Sequence, residues 1–204
     1  MSSPETPDPT AEATEACKRS PGRPRSEAAR QAILDAAYEL LLEKPLPEIT
    51  AAALAKRAGV SKATLYRWWP SKEAVVLDGY FEALDHRIVS RHTDDPLADL
   101  GEHLRQAYAT MAGPDGKIFA ALVASGHFHP HVREALNDEL NSPRCQDTEE
   151  LVRRAIAAGR LRADLDPELA GELLFGPVFF RLMTGAPVGP GLADEVLATL
   201  LLPE

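Results

Sequence analysis

Apolar residues recur at helical spacing along most of this chain, and no segment shows the strict alternation that is typical of a half-buried strand. The first apolar stripe follows Ser26, a predicted N-cap, and Pro45 and Pro47 end its pattern. Its members are Ile33, Leu34, Ala37, Leu40 and Leu41. The chain therefore begins its ordered part with an amphipathic helix.

Three more helices are predicted before residue 90. One starts near Thr50 and is interrupted at Gly59, and the next runs from its cap, Ser61, to Trp69. The fourth starts at the cap Ser71 and runs long. Its predicted buried stripe is Leu77, Tyr80 or Phe81, Leu84 and Ile88.

The pattern stays helical beyond Pro96, so an all-α fold is predicted. Asp166 and Pro167 mark a clear helix start, and Gly176 followed by Pro177 is expected to bend that helix. The predicted helices cover approximately 97–112, 115–125, 130–141, 144–158, 167–184 and 191–202.

Residues 50–69 have the proportions of a helix-turn-helix, because two short helices flank a Gly59-Val60-Ser61 turn. Gly59 can adopt the positive φ that such a turn needs, and small alanines let the two helices approach closely. Leu65 and Trp69, four residues apart, are expected to anchor the second helix on the core. On spacing alone, an ordinary pair of packed helices remains an alternative.

The positions of the second helix that point outward suit a major groove. Arg67 can make a paired bond to guanine, Thr64 can bond a base edge or touch a thymine methyl, and Ala63 permits close approach. Lys62 lies at the helix N-terminus, where open amides favour phosphate. The flanking side chains that we expect to bond phosphates are Tyr66, Trp68 and Lys72.

A net charge of -9 looks wrong for a DNA-binding protein, but the charge is unevenly distributed. Residues 18–78 carry a net charge of +4 and residues 79–204 a net charge of -9, which indicates that one part contacts a polyanion. An extended basic arm before the first helix would lie along a DNA groove or phosphate strand, unless it is only a solvated charge run. Its bases are Lys18, Arg19, Arg23 and Arg25. Thr50 is a further candidate DNA contact.

The stretch ITAAALAKRAGVSKATLYRWWPSKEA, from Ile49 to Ala74, closely resembles the signature of the TetR family of transcriptional repressors. With the preceding helix, the resemblance covers residues 26 to about 80. It implies a homodimer whose two recognition helices enter successive major grooves of a palindromic operator, commonly as a repressor that a small molecule releases. Carried over by matching position, Tyr66 and Lys72 become phosphate contacts. The positions that match groove contacts are Lys62, Thr64 and Arg67.

The second aromatic position of this signature departs from the family, whose members usually carry Phe or Val there. Trp69 is bulkier, and we expect it to remain in the core.

The pattern and the resemblance together predict three regions: a disordered tail with a basic arm (1–25), a helix-turn-helix DNA-binding domain (26–70) and a helical effector-binding and dimerisation domain (71–204).

The predicted helix around residues 169–183 is strongly apolar. One globular subunit rarely surrounds such a helix completely. Together with the last helix it is expected to form a four-helix contact across a twofold axis, although wholly intramolecular burial is the alternative. The last helix would contribute Val196, Leu197, Leu200 and Leu201.

Nine side chains of the larger domain are candidates for lining a cavity for a small apolar or amphipathic effector, although each one by itself is more typical of plain core. They are Tyr80, Leu84, Tyr108, Met111, Phe119, Phe128, Phe175, Phe179 and Met183. The loop with His127, His129 and His131 invites a metal interpretation, but alternate residues at a helix start diverge, so no metal and no cofactor is predicted.

Other classes of protein are disfavoured. The chain lacks a Gly-rich phosphate loop, a nucleophile elbow, an HExxH motif and paired cysteines, so catalysis is not expected. No apolar run is long enough for a membrane span and no secretion signal begins the chain, which makes the cytoplasm the expected location with Cys17 and Cys145 as free thiols. A ligand-independent regulator or an activator of the same fold remains the alternative function.

Overall fold

The computed structural model describes residues 23–141 and 146–201, with side chains from residue 27 onwards. This part of the chain holds ten α-helices and a 3-10 helix (Leu46–Glu48), and its only β-type pairing is an isolated bridge between Leu161 and Leu201. The all-α prediction is confirmed. The helices are α1 (Arg23–Glu43), α2 (Ala51–Arg57), α3 (Lys62–Trp68), α4 (Lys72–Asp85), α5 (Pro96–Met111), α6 (Pro114–Phe128), α7 (Pro130–Leu140), α8 (Asp147–Ala157), α9 (Pro167–Thr184) and α10 (Leu192–Ala198).

The predicted caps of the later helices are confirmed. The side chains of Ser61, Ser71 and Asp166 each accept a hydrogen bond from the backbone N–H three residues on, at 3.1, 3.1 and 2.9 Å. The start of α1 differs from the prediction, because the helix begins at Arg23 rather than at Ser26. Pro24 tolerates a first-turn position, where its missing N–H is not needed.

Two bases of the predicted basic arm lie in a helix instead. Arg23 and Arg25 belong to the first turn of α1, so an extended conformation up to residue 25 is wrong. The arm's other two bases, Lys18 and Arg19, lie outside the described residues, as do Cys17 and Cys145.

Helices α1 and α4 cross with almost no space between them. A Cβ atom placed on Gly79 of α4 would lie 2.7 Å from the carbonyl oxygen of Leu34 and 2.9 Å from Cβ of Ala37, both on α1. This backbone contact joins the N-terminal helices to the remainder, since one continuous apolar core extends from Ile33 to Leu200. Leu77 and Leu84 of α4 are buried in this core as predicted, whereas Ile88 lies beyond the end of α4.

The last helix is short and does not offer the predicted apolar face. Val196, Leu197 and Leu200 are buried within the chain where α10 packs on α5 and α9, so their assignment to a partner subunit is wrong. Leu201 lies beyond α10 and is 38% exposed. A seven-residue helix covered by two longer ones has few apolar positions left for a second subunit.

Helix α9 does present such a face. It runs unbroken through Pro177, where the predicted bend stays a prediction, and four large apolar side chains on it are exposed. They are Leu169, Leu173, Phe180 and Met183. Within the described residues, no helix is long and apolar enough to cross a membrane.

We predict that Gly79→Ala destabilises the protein by about 1–3 kcal/mol, because a backbone carbonyl stands where the new methyl group must go. Gly171→Ala in α9 is the control, since a Cβ there meets no atom within 4 Å and only the helix propensity changes. Denaturant titrations of both variants check this. Equal stabilities for Gly79→Ala and the parent would show that α1 and α4 can separate.

Candidate nucleic-acid interface and ligand cavity

Helices α2 and α3 form the predicted helix-turn-helix. Gly59 has a φ of 66°, in the left-handed region that glycine tolerates best, and the N–H of Val60 closes the turn on the carbonyl of Ala55 at 2.9 Å. Leu54 and Leu65 are fully buried and hold the two helices on the core. The pattern of small and branched residues therefore predicts this turn correctly.

The C-terminal end of α3 is fixed by one carboxylate oxygen. Trp69 is buried, as predicted, and its indole N–H donates to Oδ2 of Asp78 at 2.9 Å. Arg30 of α1 donates to the same oxygen at 3.1 Å, and its guanidinium carbon lies 5.8 Å from the Trp69 ring. We call these three side chains the Asp78 clamp. It ties the end of α3 to α1 and α4.

The sequence interpretation missed Arg30 and Asp78. One signal was present, because a buried indole needs an acceptor for its N–H. A buried Trp69 therefore predicts an acceptor on a neighbouring helix.

The side of α3 that faces away from the core is exposed to solvent, as the sequence predicts. Arg67 lies 5.8 Å above the Trp68 ring, which supports its guanidinium at the surface. The exposed candidates for DNA contact are Thr50, Lys62, Ala63, Tyr66, Arg67 and Trp68. Thr64 is half-buried instead, with its hydroxyl 2.9 Å from the Ser61 hydroxyl, so its free surface is smaller than predicted.

Lys72 is oriented inward. Its ammonium donates to the carbonyl oxygens of Leu46 at 3.3 Å and Ile49 at 2.9 Å, and lies 3.4 Å from a carboxylate oxygen of Glu73. These three partners occupy the three donors of the ammonium group. The phosphate contact assigned to Lys72 stays a prediction, and it requires exchange of at least one of these bonds.

A cavity of about 710 Å³ lies between α4, α5, α6, α8 and α9. Stacked rings line its apolar wall, with Phe119 4.7 Å and Phe175 5.8 Å from Phe179 between ring centroids. Five of the nine candidate lining residues are at this cavity: Leu84, Met111, Phe119, Phe175 and Phe179.

The other four candidates lie elsewhere. Tyr80 is fully buried and donates its hydroxyl to the carbonyl of Asp115, while Tyr108 donates to the carbonyl of Leu174 and burial raises its pKa to about 12. Phe128 is 82% exposed at the end of α6, and Met183 is on the exposed face of α9. Helical spacing identifies apolar positions but does not distinguish a cavity wall from solid core or an outer face.

The cavity also has a polar wall that the sequence interpretation missed. The ring nitrogens of His103 lie 3.1 Å from the Ser90 hydroxyl and 3.0 Å from the Thr148 hydroxyl, and all three residues line the cavity. Burial lowers the pKa of His103, and the nearby negative charge of Asp147 only partly opposes this effect. Burial therefore favours the neutral form of this imidazole, which lies between two hydroxyl groups.

A hydrogen-bonded cluster connects the cavity's helix α6 to α1. The buried carboxylate of Asp115, one turn before Phe119, accepts from the Tyr38 hydroxyl of α1 at 2.8 Å and pairs with Arg87. Arg87 also donates to the Tyr38 hydroxyl at 2.8 Å. We call Tyr38, Arg87 and Asp115 the α1–α6 link.

Comparison with known proteins agrees with this architecture. The sequence-family model for bacterial regulatory proteins of the tetR family matches residues 33–78. The family model for the tetracyclin repressor-like C-terminal domain matches residues 91–200. The HTH-type transcriptional regulator YdeS of Bacillus subtilis (strain 168) is 35% identical over 177 residues, which are 86% of this chain and 89% of that protein. The chain belongs to the TetR family.

Solved structures of TetR-family proteins show the same fold. The TetR family transcription regulator SCO0332 is 33% identical, with a TM-score of 0.73 over 84% of this chain and 95% of that one. FadR from Bacillus subtilis in complex with stearoyl-CoA is 21% identical, with a TM-score of 0.58 over 83% of this chain and 96% of that one.

This TetR-family protein is a transcriptional regulator with a DNA-binding helix-turn-helix, and the relatives that it resembles are regulators too. The exposed side of α3 is its candidate nucleic-acid interface. Among the described residues, no group of three or more His, Cys, Asp or Glu side chains is placed to hold a metal ion.

We predict that Arg67→Ala lowers operator affinity by about 1–3 kcal/mol and relaxes the base preference at one position per half-site, because this exposed guanidinium can reach a guanine edge. Arg57→Ala is the matched control, since Arg57 lies on α2 and pairs with Glu39 and Glu43. Binding-site selection with each variant measures the preference. An unchanged preference for Arg67→Ala would refute the assigned role.

Proposed function

We propose that this TetR-family protein is a homodimeric repressor that binds a palindromic operator and releases it when a small molecule occupies the cavity. The observation that carries the proposal is the α1–α6 link, which joins a cavity-lining helix to the first helix of the DNA-binding region. The link gives a ligand in the cavity a route to α1, which the Asp78 clamp in turn ties to the end of α3.

Operator binding by α3 is supported by its division into two sides. Leu65 is buried, the Asp78 clamp fixes the helix end, and the outer side carries Lys62 and Arg67. The charge distribution agrees, because residues 18–78 carry a net charge of +4 in an acidic protein. Bases in this region can bind phosphates while the acidic remainder stays away from the duplex.

Dimerisation through α9 is supported by its exposed apolar face. Phe180 is 69% exposed, and Leu169, Leu173 and Met183 continue the same side of the helix over about four turns. A contiguous stripe of large apolar side chains is typical of an interface between subunits. A twofold axis beside α9 would bring two copies of this face together and place two α3 helices on one duplex.

Release by a ligand is supported by the position of the cavity. Phe119 lines it, and Asp115 one turn earlier holds Tyr38 of α1 by a hydrogen bond. A ligand that displaces the Phe119 ring shifts α6 and therefore the anchor of α1. To release DNA, the ligand must bind the non-binding arrangement more tightly, since equal affinity for both arrangements shifts nothing. FadR, a protein of the same fold, is described with a bound acyl-CoA.

The proposal is tested by selecting binding sites from random DNA with the full chain, and then placing the selected site in a promoter that drives a reporter gene. We expect a palindrome with half-sites one helical turn or a multiple apart, low reporter expression, and recovery of expression with compounds that bind the cavity. A single half-site would contradict the dimer. Higher expression on adding the protein would indicate an activator, and repression that no cavity ligand relieves would indicate a ligand-independent regulator.

We predict that Phe180→Glu converts the dimer to monomers and lowers operator affinity by at least about tenfold, because burying an unpaired carboxylate is strongly unfavourable. Phe128→Glu is the matched control, since Phe128 is 82% exposed but lies off α9. Sedimentation velocity and operator titrations measure both effects. A dimeric Phe180→Glu variant would place the interface elsewhere.

We predict that Asp115→Asn changes the operator affinity of the ligand-free protein by no more than a few-fold. The variant should lose the effect of an inducer on operator affinity, which between coupled sites is usually about 5- to 150-fold. The amide keeps the shape of Asp115 but loses the charge that holds Arg87. Asp194→Asn is the control, because it removes an ion pair with Arg105 between α5 and α10. Full induction of the Asp115→Asn variant would exclude the α1–α6 link as the route.

A further inference from the structure

The wall that α9 contributes to the cavity is divided into a charged part and an aromatic part. Glu168, Glu172, Phe175 and Phe179 follow one another at spacings of four, three and four residues, so they share one side of the helix. All four line the cavity. In the aromatic part of this wall, the Phe179 ring stacks on the Phe119 ring of α6. A ligand lying along α9 therefore meets carboxylates at one end and aromatic rings at the other.

Ion pairs with other described residues do little to neutralise these carboxylates, and Glu168 and Glu172 are exposed to solvent. Asp147 and Glu149 of α8 also line the cavity, and of these four acids only Glu149 has an ion-pair partner, Arg153 at 2.8 Å. Asp147, Glu168 and Glu172 make no ion pair within the described part of the chain. No Lys or Arg is among the described lining residues.

The two histidines of the lining do not supply the missing charge. Burial lowers the pKa of His103, which favours its neutral form, and Nδ1 of His92 lies 3.2 Å from a guanidinium nitrogen of Arg154, which must be the donor. The described lining is therefore rich in acidic groups and has no fixed cation.

The positive ends of two helix dipoles offset part of this negative charge, but they are weaker than the carboxylates. Helices α8 and α9 begin at Asp147 and Pro167, and each N-terminus corresponds to about half a positive charge. Two such ends offset about one of the three unpaired carboxylates. First-turn acids often serve only to complement a helix end, which accounts for Asp147 and Glu168. Glu172 lies beyond the first turn of α9, so helix capping does not explain it.

We propose that the cavity binds an organic cation with an apolar, preferably aromatic, tail; this inference rests on the proposed function and names the chemical class of its ligand. The ammonium group lies between the α8 and α9 carboxylates, and the tail stacks on the rings of Phe119, Phe175 and Phe179. A cation without a tail leaves these rings uncovered, and a neutral ligand brings no counter-ion to the carboxylates. A volume of about 710 Å³ is in the usual range for sites of drug-sized ligands.

Neutral hydrogen-bonding groups complete the site. The hydroxyls of Ser90 and Thr148, joined through His103, can orient a polar substituent of the ligand without adding charge. Aromatic faces attract cations as well as apolar groups, so the ring wall does not disfavour a ligand whose charge extends along the tail. An anionic ligand of the same size gains the stacking contacts but is repelled at the carboxylate end.

Three probes with one tail test the charge preference: 6-phenylhexyltrimethylammonium, 6-phenylhexan-1-ol and 6-phenylhexanoate. Calorimetric titration into the full chain at pH 7 gives each affinity, and the rise in melting temperature confirms binding to the folded protein. We expect the cation to bind at least about tenfold more tightly than the alcohol and the carboxylate to bind most weakly. A carboxylate that binds as tightly as the cation would overturn the inference.

Charge-neutral variants locate the preference. Glu168→Gln with Glu172→Gln keeps the shape of the wall, and we expect the double variant to lose at least about tenfold in affinity for the cation while its affinity for the alcohol changes less than about twofold. Glu195→Gln, on the exposed surface of α10 and away from the cavity, is the matched control and should change neither affinity. An unchanged affinity of the double variant for the cation would also overturn the inference.

Operator titrations with the same probes separate this inference from the proposed function. If the cation binds through Glu168 and Glu172 but leaves operator affinity unchanged, the inference holds and ligand-driven release by this class fails. If the carboxylate or the alcohol binds and releases the operator while the cation does not bind, ligand-driven release holds and the inference fails.

Discussion

One buried carboxylate oxygen fixes the C-terminal end of α3. Asp78 accepts the indole N–H of Trp69 and a guanidinium N–H of Arg30, so the end of α3 is tied to α1 and α4 at a single point. Hydrogen bonds to a charged group contribute about 1.5–3 kcal/mol each, and a buried carboxylate without them would strongly destabilise this position. The outer side of α3 is therefore presented at an angle that α1 and α4 jointly determine.

Four consecutive residues of α4 connect the parts of the molecule. Asp78 holds the end of α3, Gly79 contacts the backbone of α1, Tyr80 bonds to the carbonyl of Asp115, and Phe81 lines the cavity. A helix places successive residues about 100° apart, so four residues cover a full turn and face four different neighbours. The DNA-binding region and the cavity therefore share a helix as well as the α1–α6 link.

Local patterns in the sequence predicted the elements well because their causes are local. The caps Ser61, Ser71 and Asp166 and the turn at Gly59 depend on neighbours within a few residues. The resemblance to the TetR family extended this to the exposed positions of α3. The partners of these elements were harder to predict, since Asp78 and Asp115 gain their roles only through contacts with distant helices.

The cavity shows where periodicity stops being informative. Tyr80 and Phe81 both belong to the apolar side of α4, yet only Phe81 reaches the cavity. Likewise, apolar residues of α9 and of the chain's end looked equally suited to a partner subunit, but Val196, Leu197 and Leu200 are buried within the chain. A stripe of apolar residues reports burial, whereas the identity of what covers it depends on tertiary packing.

The close crossing at Gly79 has a mechanical consequence. Contacts between long side chains can adapt by changing rotamer, but this one brings backbone atoms of α4 against a carbonyl of α1 and has no rotamer to change. If α4 tilted at Phe81, the displacement would therefore be passed to α1 almost undiminished. The absence of a side chain at Gly79 thus makes the junction between α1 and α4 stiff.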